Sequence, residues 1–106
     1  MERIPCPYLQ ADVELSAERE RHIRERHPDL LPAYRGELNR TLSGPDEVRR
    51  SARDTNARLF SRWFDNIRGG KNLVVVVVSE QGGRHWVISA YLATKLAGGV
   101  VEWQRD

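Results

Sequence analysis

Three side chains able to hold or move a proton stand close together near the C-terminal end of this 106-residue chain: His85, Ser89 and Tyr91. Their spacing places them on one face of an extended strand, where side chains alternate with a period of two. An imidazole, a hydroxyl and a phenol on one face make either a reaction surface or an ordinary wet one. Arg58 and Arg62 alternate in the same way on an earlier segment, and a guanidinium fork fits phosphate oxygens two at a time. The arginine-rich usage equally fits a compositional preference, so a phosphate site and a solvated face both remain open. Lys71 stands at the entrance to the hairpin that carries His85, and Thr94 and Lys95 lie just beyond its end. Two further imidazoles, His22 and His27, lie far upstream. They are about 140° apart around a regular helix, so they meet only if a kink at Pro28 or packing on a sheet brings them together. The three histidines form no i, i+4 pair and have no cysteine partners, which argues against a zinc site.

The elements that must position these groups follow from hydrophobic period. Leu73–Ser79 holds five consecutive valines. A strand without a polar face needs cover on both sides, so it belongs in the middle of a sheet. Gly82-Gly83 makes the turn into His85–Leu92, where Trp86, Ile88, Ala90 and Leu92 take the face opposite His85, Val87, Ser89 and Tyr91. Ala57–Phe64 reads as another strand, Glu47–Ser51 as a short edge strand, Asn66–Gly70 as a turn, and Val100–Trp103 as a last strand. Thr94–Ala97 reads as one helical turn closed by Gly98-Gly99.

Upstream, Pro5 and Pro7 exclude a helix, and residues 1–14 read as an extended lead-in. Ser16 is the predicted N-cap of a helix that Pro28 stops near His27. A second helix is expected to start between Asp29 and Pro32, bury Leu31, Tyr34, Leu38 and Leu42, and end at Gly44-Pro45. The expected architecture is one α+β domain over residues 1–106. Two N-terminal helices pack on a four- to five-stranded antiparallel sheet, and the face with His85, Ser89 and Tyr91 stays open.

Composition bounds the function. A net charge of +2 does not by itself announce nucleic-acid binding. No apolar run approaches the roughly 20 residues needed to span a bilayer, so no membrane role is expected. The N-terminus lacks the apolar stretch of a secretory signal. Cys6 is alone and cannot form an internal disulfide, so a reducing, cytoplasmic setting is expected. Between two prolines it reads as a free surface thiol.

One resemblance runs over nearly the whole chain, from about Leu15 to Trp103. It rests on His22-Ile23-Arg24-Glu25-Arg26-His27-Pro28-Asp29-Leu30, Thr41-Leu42-Ser43-Gly44-Pro45-Asp46-Glu47-Val48, Arg58-Leu59-Phe60-Ser61-Arg62, Lys71 before the valine strand, and Trp86-Val87-Ile88-Ser89-Ala90-Tyr91-Leu92. The order of these motifs resembles the phage-associated barnase/EndoU/colicin/RelE-like nucleases. The resemblance implies a barnase/RelE-like fold and a metal-independent endoribonuclease of phage, mobile-element or toxin-system type. It implies no cofactor or metal, RNA as partner, and a cognate inhibitor or antitoxin as a further one.

Such chemistry needs a base for the 2′-OH, an acid for the leaving oxygen and cations for the phosphorane charge. The candidates for these roles are His27, with His22 as its complement, and Lys71, Arg58, Ser89 and Tyr91. Arg62, Thr94 and Lys95 are candidates for binding the nucleic acid. The alternative is a non-catalytic module of the same fold that binds nucleic acid or protein.

Overall fold

The computed structural model describes residues 1–96 and 98–106. The valine-rich strand takes the central place that its pattern demands. The chain begins with β1 (Glu2–Cys6) and β2 (Ala11–Leu15), an antiparallel hairpin closed by a 3-10 turn over Pro7–Leu9. Helices α1 (Ala17–Arg26) and α2 (Arg35–Ser43) follow. Then come β3 (Glu47–Arg50), β4 (Ala57–Phe64), β5 (Lys71–Ser79), β6 (His85–Ala93) and β7 (Val100–Gln104). The strands lie side by side in the order β1-β2-β6-β5-β4-β3-β7. All pairs are antiparallel except β2 with β6, a parallel contact through Glu14 and Trp86.

The expected four- to five-stranded antiparallel sheet beneath two N-terminal helices is therefore corrected to a seven-stranded mixed sheet that begins with a hairpin. The prolines that exclude a helix from residues 1–14 are also compatible with a hairpin. Pro5 removes one backbone donor, which an edge strand tolerates, and β1 is an edge. The alternation is present: Ile4, Cys6, Val13 and Leu15 are buried. Strand β3 is not an edge, since β7 returns to pair with it. The helix ends differ less. Ser16 caps α1 by accepting the Arg19 N–H at 3.1 Å, but residues 29–34 form turns and α2 starts only at Arg35. Thr94 and Lys95 lie in a bend, and the rest of the expected helical turn reaches Ala97, outside the described residues.

Six strand spacings in a flat sheet would part β1 from β7 by about 29 Å. Yet Tyr8, in the turn after β1, donates a hydrogen bond of 2.6 Å to Glu102 on β7 and packs against Trp103 with ring centroids 5.8 Å apart. The sheet is thus curled, and the 3-10 turn bridges its two edges. Inside the curl, α2 packs on β1, β4 and β5, and α1 on β6. The core there comprises Ile23, Leu38, Leu42, Phe60, Leu73, Val75, Val77, Val87 and Ala90, each 1% exposed or less. On the outer face Val74 is buried, beside a small cavity also lined by Lys95 and Leu96 after β6, while Val76 and Val78 are half-buried. The valine strand is thus fully covered on its inner face and partly covered on its outer one.

Cys6 is buried rather than a surface thiol. Burial pushes its thiol up, against the opposing pull of the Leu9 and Tyr8 backbone N–H groups and the Arg58 charge. Alkylation of Cys6 in the native protein, followed by mass spectrometry, should be far slower than in the denatured chain; equal rates would contradict this burial.

Candidate active site

Two β-bulges decide which polar side chains meet. Between Val76 and Val77 the β5–β6 register slips: Val76 faces Ser89, but Val77 faces Val87, leaving Ile88 as the extra residue. A bulge shifts the phase of alternation by one residue. His85 and Val87 therefore share the helix-covered face with Ala90 and Leu92, while Ser89 and Tyr91 lie on the other face. The set His85, Ser89, Tyr91 is split. The second slip lies between β3 and β7, where Val48 faces Trp103 and Arg49 faces Val101, so Glu102 is the extra residue. The bulge aims its carboxylate onto the same inner face.

That face carries a row of polar side chains, one from each of five strands. In spatial order they are His85 (β6), Ser79 (β5), Arg58 (β4), Arg50 (β3) and Glu102 (β7), with Tyr8 leaning in from the turn. The register explains the row: Ser79 faces His85, and Arg50 faces Arg58. Gly99 (φ 73°) lets β7 enter beside β3, because a Cβ there would lie 2.3 Å from the Arg50 carbonyl oxygen.

Glu102 is the hub. Its Oε1 accepts from Arg50 Nε at 2.9 Å, and its Oε2 accepts from Arg58 Nε at 2.8 Å and from Tyr8 at 2.6 Å. Arg50 also donates to the Thr55 carbonyl at 2.6 Å. Arg58 reaches Ser79 Oγ at 3.4 Å, and Ser79 Oγ lies 2.6 Å from His85 Nδ1. The side chains of Arg58, Glu102 and Arg50 are 18%, 22% and 38% exposed, so the row is ordered yet open to a ligand.

The charges are arranged for an anion. Two guanidiniums face one carboxylate, which leaves one positive charge uncompensated. Partial burial pushes the Glu102 carboxyl up, but the hydrogen bonds from Tyr8 and Arg58 and the charges of Arg58 and Arg50 outweigh it and hold it below the usual range. Burial and the bond to Glu102 push the Tyr8 phenol up to about 12, so it stays a neutral donor. Burial, and then the Arg58 charge, lower His85.

The other sequence candidates lie elsewhere. His27 caps the end of α1, with its ring 6.3 Å from that of Tyr91. His22 is half-buried on α1. Lys71 donates to Thr94 at 3.3 Å. By register it sits six residues along β5 from the Arg58 partner Val77, about 20 Å away. Arg62 donates to the Gly44 carbonyl at 3.1 Å and packs over Phe64, tying the end of α2 to β4. Tyr91 and Lys95 share an outer-face cavity of about 20 Å³ with Arg49 and Ser61. That is room for a single water.

Of the expected site residues, only Arg58 belongs to the row. Tyr8, Arg50, Ser79 and Glu102 are not among the residues the sequence nominates, and His85 lies on the inner face rather than the outer one that simple alternation gives it. One signal was available for Glu102, a lone carboxylate in the apolar run Val100-Val101-Glu102-Trp103.

Among the described residues, no three His, Cys, Asp or Glu side chains gather as metal ligands, and no helix is long and apolar enough to cross a membrane. Comparison with protein-family models, curated proteins and solved structures finds no match to this chain.

Proposed function

We propose that this protein is an endoribonuclease that cleaves RNA by attack of the 2′-oxygen on the adjacent phosphorus. The observation that carries the reading is a carboxylate bracketed by two arginines, in one row and on one face with an imidazole. Glu102 is the base. Three of its roughly four acceptor positions are taken, which leaves one on Oε1 for the 2′-OH proton. Arg50 and Arg58 hold the non-bridging oxygens, whose negative charge grows in the transition state. Ser79 fixes Nδ1 of His85, and this leaves Nε2 to protonate the departing 5′-oxygen. The products are a 2′,3′-cyclic phosphate and a 5′-hydroxyl. The resemblance to the phage-associated nucleases points to the same reaction class, and it adds a toxin-type effector with a cognate inhibitor to the proposal.

The test is cleavage of mixed RNA in EDTA. Wild type should yield cyclic-phosphate ends, and His85→Ala should be slower by roughly 10²–10⁴-fold, the usual range for a lost general acid. His27→Ala should cleave like wild type. Salt-sensitive RNA binding without any cleavage would instead favour the non-catalytic module.

The pH profile is a second check. Activity needs Glu102 ionised and His85 protonated, and both groups are lowered. A plot of kcat/KM against pH should be bell-shaped and begin to fall below the ordinary histidine value of about 6.5. A rate that keeps rising through neutrality would exclude His85 as the acid.

A further inference from the structure

On the far side of Tyr8 and Trp103, an open groove of about 410 Å³ is walled by Pro7, Tyr8, Gly44, Pro45, Trp103 and Arg105. The cleavage steps make no use of it. Its size falls within the roughly 300–1,000 Å³ typical of small-molecule sites, and Tyr8 is common to the groove and to the polar row. Resting on the ribonuclease reading, we infer that this groove seats one unpaired nucleobase of the RNA substrate, stacked on Trp103.

Trp103 is an aromatic wall of this groove. The residue is 38% exposed although it lies on the inner face, opposite the fully buried Val48. Trp63 is exposed too, but its indole N–H is bonded to Asp65 at 2.7 Å and its ring lies against Gly70. The indole N–H of Trp103 has no partner among the described residues. It therefore offers both a ring face and a donor.

The groove is continuous with the polar row through Tyr8. Trp103 follows Glu102 directly, and its ring packs on Tyr8, whose hydroxyl holds Glu102. A phosphate held by Arg50 and Arg58 thus carries a neighbouring base to the mouth of the groove. Prolines and an aromatic ring suit the flat apolar faces of a base, and Arg105, ion-paired to Asp46 at 2.5 Å, can reach a polar edge. A base paired in a helix cannot reach such a slot, so the substrate class is single-stranded RNA.

The test separates binding from cleavage. A labelled 2′-O-methyl tetranucleotide, which cannot be cleaved by this route, is titrated beside the same strand with abasic sugars. Wild type and Trp103→Phe should prefer the base-containing strand by about tenfold, the scale of one stacked base, and Trp103→Leu should bind both strands equally. A full preference in Trp103→Leu, or none in wild type, overturns the inference. Trp63→Phe/Trp86→Phe leaves Trp103 as the sole tryptophan and guards against misfolding of the leucine variant. Its emission should be quenched by the base-containing strand and not by the abasic one, and equal emission with both overturns the inference. Failure of wild type to cleave ordinary RNA would sink the ribonuclease reading alone. Cleavage with no dependence of binding on Trp103 would sink the base site alone.

Discussion

Glu102→Gln should lower kcat for RNA cleavage by about 10²–10⁴-fold while the protein stays folded. Glutamine keeps the length of the side chain and an oxygen for Arg50, Arg58 or Tyr8, but it cannot take a proton from the 2′-OH. It also leaves the two guanidiniums without a counter-charge, so inorganic phosphate should inhibit the variant at lower concentration than wild type. This split distinguishes a base from a mere clamp for β7. A clamp would lose stability on substitution and leave the ratio of rate to phosphate affinity unmoved. A kcat within about threefold of wild type would exclude Glu102 as the base.

The acid limb of stability carries a matching sign. The Glu102 carboxyl is held below its unfolded value, so its contribution is present above the ordinary carboxylate range and is lost as pH falls through the lowered value. On acidification wild type should lose stability relative to Glu102→Gln.

Phe60→Ala should have the largest effect on stability, about 3–5 kcal/mol. A chain of this length holds a total of roughly 5–15 kcal/mol, so the loss would consume much of it. Phe60 is fully buried on β4, beneath the curl of the sheet. It also meets Tyr8 edge to face, with centroids 5.8 Å apart. Removing the ring opens a cavity in the core and frees Tyr8, the residue that bridges the sheet edges and donates to Glu102. Urea unfolding should show a much lower midpoint. Near the midpoint, cleavage should fail before the far-UV signal does, because the bridge over the sheet rests on Phe60. A loss under about 1 kcal/mol would mean that the core closes over the missing ring.

The resemblance to the phage-associated nucleases implies a reaction class with His27, Lys71 and Tyr91 among its agents, whereas in the fold these three lie apart from the polar row. His27 stands at a helix C-terminus, and Tyr91 shares a strand with Ser89. What the residues could not reveal was which way each strand turns its side chains. One unpaired residue, Ile88, moves His85 from the outer face to the inner one. One other, Glu102, is itself the bulge. Period-two reasoning has no means to see a slip of a single residue, because the valines on β5 look alike on both faces and tolerate either register.

The sequence by itself determined the central strand, the hairpin at Gly82-Gly83, the spans of β4 and β6 to within a residue, and α1 with its Ser16 cap. These are local matters: hydrophobic period, turn residues and capping chemistry act over a few neighbours in the chain. The tertiary structure alone decided that residues 1–15 form a hairpin, that β7 returns to β3, and that the sheet curls until Tyr8 meets Glu102, 94 residues away. Each of these is a contact between distant segments, set by how much apolar surface the whole chain can bury at once. The proposed site is made from such contacts, one residue per strand, and so it exists only in the folded chain.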